Sequence, residues 1–289
     1  MKRSTWKNAV FLIPFIGLYF LFTLYPFIRG IYMSFFDWSL LKGHSFIGVE
    51  NYTRVLTDPE FYRSLFNTIK FVLYSTIPLV LLGFVFALIV NRNMPLKSLL
   101  RTVFFIPNVL SVSVVAIIWS GVLGGYGSLI NSIITFFGGD TVYWFKTESL
   151  AWFSIVLITV WWTVGFNMLI FLAALQNIPS YLYEAAAIDG AAGMKIIAHI
   201  TLPQISGTFR VVTFLQIISS FKVFAQIFLV TKGGPAGSTM PVMQYLYDRG
   251  MGSYQFGFAS AVSVIIFTIL LVLSLLQSCI TQKKGEDYA

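Results

Sequence analysis

The chain has 289 residues, of which 57% are hydrophobic and only 10% charged, with a formal charge of +8. Soluble domains run at about 45–50% apolar and about 25% charged, so a water-soluble globule is excluded as the first reading and the bilayer becomes the candidate solvent. The positive balance forms no dense basic run, which argues against a nucleic-acid partner, and the single cysteine, Cys279, excludes an intrachain disulfide or a Cys-rich metal site.

Six apolar stretches are long enough to cross a hydrocarbon core, which takes roughly 20 residues, at 10–33, 67–90, 102–123, 150–175, 207–230 and 258–280. Before the first stand Lys2, Arg3 and Lys7, as in a signal peptide. The apolar run is too long for one and no small-residue cleavage site follows, so a retained span is expected. Pro14 and Pro26 interrupt it, which membrane helices tolerate when neighbours satisfy the freed carbonyls. The segment 37–66 contains DPEFYRSLFN, where Asp58 is placed to cap a short helix begun by Pro59. Segment 91–101 carries Arg92, Lys97 and Arg101. Segment 124–149 follows the third span, and 231–257, opening with TKGGPAGST, follows the fifth; both read as connectors or as docking surfaces. Arg29, Lys70 and Arg210 lie near span ends and can snorkel to headgroups. Lys222 lies deeper in the fifth span, which suggests a buried partner or a pathway role.

Six spans put both termini on one side. Lysine and arginine number nine in the segments on that side and six in the others, so the termini are expected in the cytoplasm. The inner segment 176–206 then faces the cytoplasm as well. In it, Ser180 after Pro179 is a plausible N-cap for YLYEAAAI, with Glu184 near the positive end of the helix dipole. Gly190 after Asp189 can take the left-handed conformation that ends a helix, and AAGMKIIAHI can form a second one before Pro203. Ala185, Ala186, Ala187, Ala191 and Ala192 give this helix–turn–helix a low relief that another protein can approach. The alternative is a hairpin lying on headgroups, with Leu182, Ile196, Ile197 and Ile200 turned to lipid.

The pattern Glu-Ala-Ala, three residues, Gly, nine residues, Ile-x-Leu-Pro is met by Glu184, Ala185, Ala186, Gly190, Ile200, Leu202 and Pro203. It resembles the EAA loop of the membrane subunits of ABC importers. Ile197 departs from the Phe that sugar importers often have there. FLIPFIGLYFLFTLYPF, SFFDW, FIGVENYTRVLTDPEFYRSLFNTIKF, SSFKVF and TKGGP extend the resemblance over nearly the whole chain, to the MalF-like permeases of carbohydrate importers. The resemblance implies an all-α integral membrane permease of the type I importer fold, in a bacterial or archaeal inner membrane; with no linker, low-complexity tract or obvious internal repeat in the sequence, the chain is treated as one domain over 1–289. It implies that Glu184, Ala185, Ala186, Asp189, Gly190 and Ala191 form a coupling helix docked on a cytoplasmic ATPase dimer, which binds the ATP and Mg while this chain holds no cofactor. A second, homologous permease, an extracytoplasmic solute-binding protein and membrane lipid are the other implied partners.

A sugar site needs aromatic faces and neutral hydrogen-bonding groups. The fourth span offers both on one face at Thr159, Trp162, Thr163 and Phe166, spaced i, i+3, i+4, i+7, and the fifth adds Gln216 and Ser220. Helix packing is the competing account, since Thr, Ser and Gln also serve as interhelical contacts. No cluster of Arg or Lys marks the pathway, which favours a neutral sugar or oligosaccharide over an anionic solute.

No catalytic residue is expected. A P-loop is missing, because GGPAGST at 233–239 lacks the lysine, and no Gly-x-Ser-x-Gly elbow occurs. His44 and His199 fall on opposite sides of the membrane, so no zinc pair is expected. The rival reading is a secondary transporter without an ATPase, which commonly carries acids at the midplane; no Asp or Glu lies in the six stretches. An ABC permease for a non-sugar solute is the other alternative.

Overall fold

A computed structural model describes residues 12–39, 43–92 and 95–286, with side chains as far as Gln277. Lys2, Arg3, Lys7 and Lys42, which enter the charge count, and the start of the first apolar stretch lie outside these residues. The described chain is mostly helical. Among the described residues, four helices are long and apolar enough to cross a membrane, and a fifth crossing results if one bent pair counts as a span. The contacts divide the chain into two units, Met1–Tyr62 with Tyr245–Lys283, and a second made chiefly of Arg63–Gln244.

In the first unit, α1 (Ile13–Met33) is continuous through Pro14 and Pro26. A π-helical turn, Phe20–Leu24, ends two residues before Pro26, which has no N–H to donate to the helix ladder. An antiparallel hairpin follows, β1 (Phe36–Ser39) and β2 (Gly43–Phe46), which the helical reading did not anticipate. Helix α2 (Glu50–Thr57) fixes it: the buried Asn51 donates to the carbonyls of Ser34 at 2.9 Å and Phe36 at 2.8 Å. Asp58 then caps α3 (Pro59–Asn91), accepting from the Glu60 N–H at 2.8 Å. The short helix expected at Pro59 is instead the first turn of a 33-residue helix, because nothing after Pro59 ends the run. Tyr245 and Arg249 also reach Asp58, at 2.7 and 3.3 Å, and Arg249 reaches Glu60 at 2.6 Å. The unit closes with the last helix, α13 (Phe256–Glu286).

In the second unit α3 presents Phe71, Ser75 and Leu79, one helical turn apart, to the interior and Leu73, Ile77 and Leu81 outward. Next come α4 (Lys97–Phe105) and α5 (Val112–Leu123). Together they occupy the third expected span, but they meet at a bend of 104°. Pro107 sits in a 3-10 turn at the bend, and Ser111 restarts the helix by accepting the Val114 N–H. After α6 (Leu129–Phe136), the 29-residue α7 (Glu148–Gln176) runs through the middle of the unit. Its Gly165 lets α4 approach so closely that an added Cβ would stand 2.2 Å from the Phe104 carbonyl oxygen. Small residues are how membrane helices reach such separations.

Helix α8 (Ser180–Ile188) and the short α9 (Met194–Ile196), which continues through a π-helical turn to Gln204, form a helical hairpin within 176–206. The expected fifth span, 207–230, is not one helix: α10 (Ser206–Phe221) ends at Lys222 and α11 (Ala225–Val230) begins after Phe224. No Gly or Pro signals this break. It is held by N–H bonds from Lys222 to Ser219 and Val223 to Ser220, and by burial of Val223 against Phe71, Trp152 and Ile155. The segment 231–241 is strapped to α3, where Arg63 donates to the Ala236 carbonyl and Asn67 to those of Gly237 and Met240. Helix α12 (Val242–Tyr247) leads to α13.

Candidate functional site

Where α10 breaks, the second unit contains a cavity of about 490 Å³, within the range of small-molecule sites. Thr159, Trp162, Thr163, Phe166, Gln216 and Ser220 all line it, joined by Phe71, Asn108, Val112, Asn167, Phe224 and Gln226 from other parts of the unit. Lys222 also lines it. Its side chain is exposed at the C-terminal end of α10 and makes no ion pair among the described residues, so the buried partner suggested by its depth in a continuous span is absent there.

The polar side chains of this wall differ in how far the protein already uses them. Gln216 accepts at Oε1 from Asn167 at 3.0 Å and donates through Nε2 to Ser220 at 3.0 Å, and the Ser220 hydroxyl meets that of Ser75 at 3.0 Å. This chain of neutral bonds ties α7, α10 and α3 together. It lies beside Gly83, whose absent Cβ would stand 2.8 Å from the Asn167 Cβ. Thr159 donates to the Ile155 carbonyl at 2.7 Å and accepts from Gln226 at 2.8 Å; Thr163 donates to the Thr159 carbonyl. The Trp162 indole N–H donates to the Leu110 carbonyl at 3.2 Å, which fastens α7 to the bend between α4 and α5. Available to a solute are therefore the ring faces of Trp162 and Phe166, the threonine lone pairs, and the donors of Asn108, Ser219 and Lys222. Asn167 continues the Thr159–Thr163 stripe by one more turn, a signal present in the sequence; Asn108 and Gln226 join it only through tertiary contact.

The hairpin of α8 and α9 has its own geometry. Ser180 is the first residue of α8 and not its cap; Pro179 occupies the cap position, since its fixed φ and extended ψ already turn the chain into the helix. At the other end Gly190 has φ +75°, and the Ala191 N–H returns to the Ala186 carbonyl at 2.9 Å, the six-to-one closure of a glycine C-cap. Tyr183 and Thr201 join the two arms through their hydroxyls at 3.3 Å. Ala186 is buried, whereas Glu184, Ala185, Asp189 and Gly190 are exposed and Ala191 is half-buried. The apolar residues Leu182, Ile196, Ile197 and Ile200 are half-buried, and Ile197 packs on the Phe84–Phe171–Val212 core. The side chains that protrude are Ile188 and Met194, flanking the glycine turn.

A polytopic helical protein with a broken-helix cavity, and with a capped hairpin joining two of the cavity's helices, belongs to the class of membrane transport subunits. Residues 79–285 match the family described as binding-protein-dependent transport system inner membrane component, and the chain belongs to it. Among its relatives is a probable starch degradation products transport system permease protein of Thermoanaerobacterium thermosulfurigenes, 30% identical over 99% of both chains. The trehalose/maltose transport system permease protein MalF of Thermococcus litoralis is 32% identical over 93% of this chain and 91% of its own. In fold, the chain is similar to one in the crystal structure of a bacterial alginate ABC transporter, with TM-score 0.87 at 23% identity, covering 97% of this chain and 96% of that one.

Proposed function

We propose that this chain is one of two non-identical permease subunits of an ATP-driven importer for a sugar or oligosaccharide. A solute-binding protein delivers the sugar outside the cytoplasmic membrane, and a separate cytoplasmic ATPase dimer holds the ATP and Mg. The supporting observation is the connectivity of the cavity: α7 and α10, which carry Thr159, Trp162, Thr163, Phe166, Gln216 and Ser220, are the two helices that the inner hairpin joins. Displacing the hairpin pushes on both walls at once, so ATP-driven closure of a docked ATPase is converted into a change of cavity shape. Ile188 and Met194 enter the ATPase surface, with the backbone of Glu184–Ala191 as the lever. The packing of Ile197 on the protein core favours this over a hairpin resting on lipid.

The membrane topology in this reading has six crossings, with both termini in the cytoplasm. The bent pair α4–α5 and the interrupted pair α10–α11 each count as one broken span. Broken helices at membrane depth are tolerated where they line a cavity, which is where both breaks lie. The cavity offers ring faces and neutral donors with a single cation, matching a polyhydroxylated solute, and the relatives named for transport of starch degradation products and of trehalose/maltose agree.

The test is Glu184→Lys and Gly190→Val, assayed for co-purification of the ATPase, sugar uptake and ATP hydrolysis. No atom lies within 4 Å of a Cβ added at Gly190, so valine acts there only through its strained φ, at a cost of about 1–3 kcal/mol. Loss of the ATPase, or hydrolysis without uptake, is expected. Full retention and normal uptake in both variants would exclude the coupling role. Uptake by the chain without any ATPase would instead establish a secondary transporter.

A further inference from the structure

Helix α6 reverses the usual polarity of a surface helix. Its polar Asn131 is 1% exposed and faces inward, where Nδ2 donates to the carbonyls of Gly124, Gly125 and Val142 and Oδ1 accepts the Val142 N–H, all within 3.1 Å. Its apolar side chains face outward: Leu129 is 60%, Ile133 52% and Phe136 84% exposed, with the neighbouring Phe137 at 80%. Ser132 and Thr135 form a third, polar flank. The helix thus has one side for the protein, one for water and one that neither accounts for.

We infer that the apolar side, Leu129, Ile133 and Phe136, lies in the outer leaflet, making α6 an interfacial anchor whose occupant is a lipid surface. The inference rests on the six-crossing reading, which places α6 outside the cytoplasm. Depth is the first support. The loop that Asn131 grips runs directly into Trp144, whose carbonyl accepts from Ser154 at 3.4 Å. Ser154 lies six residues into α7, about 9 Å below its start at the rise of a helix. Trp144, Phe145 and Ile130 pack in one cluster with Leu123 and Ile158, so α6 is bound at the level of the spans and does not stand above them in solvent. Continuity is the second support: α5 presents Ile117 and Val114 outward and passes into α6 through a short turn. Charge is the third. No charged residue occurs from 102 to 139, whereas a transient protein interface has a polar rim and is only about 56–58% apolar. An interfacial helix buries its apolar face about 5–10 Å into the headgroup and acyl boundary. Because the cluster beneath α6 also holds Leu110 and Trp162, the anchor sets the height of one cavity wall.

The test uses the full importer in lipid nanodiscs, with Cys279→Ser and single spin-labelled cysteines at Leu129, Ile133 and Phe136. A label at Ile117 serves as the lipid reference and one at Thr135 marks the polar flank. The expected result is that all three α6 labels collide with oxygen several-fold more than with a water-soluble nickel chelate, the order reversing at Thr135. Chelate-dominated collisions at the three sites would show a solvent-exposed face and overturn the inference. Low collision rates with both reagents would do so too, by showing a face covered by the second permease or the binding protein. Collision rates do not depend on uptake, so a failed coupling test leaves this result readable.

Discussion

Replacing Gly165 by alanine adds one methyl group where α7 meets α4. The new Cβ would stand 2.2 Å from the Phe104 carbonyl oxygen and 2.7 Å from the Phe105 Cα, both backbone atoms that cannot rotate away. An ordinary carbon-to-oxygen contact is about 3.3 Å or more, so the helices must part by roughly 1 Å. Overpacking of this kind costs about 1–3 kcal/mol. The same displacement stretches the 3.2 Å bond from Trp162 to Leu110 and shifts Asn108 and Val112 in the cavity wall. Gly121→Ala is the matched control: no atom lies within 4 Å of its Cβ, and removing a helical glycine without strain stabilises by about 0.4–1 kcal/mol. In thermal unfolding of the detergent-purified complex, Gly165→Ala should lower the midpoint and reduce uptake, while Gly121→Ala leaves both unchanged or raises the midpoint. A Gly165→Ala protein with the parental midpoint and uptake would refute the close approach and the geometry built on it.

The wall residues should separate into two kinds: Gln216→Leu cuts the link between Asn167 and Ser220 and should lower stability by about 1–3 kcal/mol along with uptake, whereas Ser219→Ala, whose hydroxyl makes no bond among the described residues, should weaken uptake at unchanged stability. Burial pushes the Asp58 carboxyl up, but bonds from Tyr245 and the Glu60 N–H and the charge of Arg249 outweigh it, leaving the group below its ordinary value. Its contribution is therefore complete above the unfolded carboxylate value of about 3.9 and is lost as pH falls through the lower folded value. Tyr245→Phe should cost about 1–2 kcal/mol and move the acid transition of proteolytic sensitivity to higher pH, and an unmoved transition would show that the bond contributes nothing.

The solvent, the family and the hairpin around Gly190 were legible in the residues alone. Apolar runs of span length are set by composition alone, and a glycine that must adopt positive φ at Gly190 is a local requirement that spacing exposes. The stripe Thr159, Trp162, Thr163, Phe166 was equally legible, because it lies on one unbroken helix with a fixed period. Where helices stop and what faces them came from packing between distant parts of the chain. The break at Lys222–Phe224 has no Gly or Pro to announce it; it exists because Val223 is buried against Phe71, Trp152 and Ile155, which lie far away in the chain. Pro107 was visible, but not the 104° bend beside it, nor the approach of α4 onto Gly165 that the bend accompanies. The outward apolar face of α6 follows from Asn131 turning inward to four backbone groups, all of them before or after the helix in loops without periodicity. Local propensity is read from neighbours in sequence, whereas burial and hydrogen-bond satisfaction depend on neighbours in space.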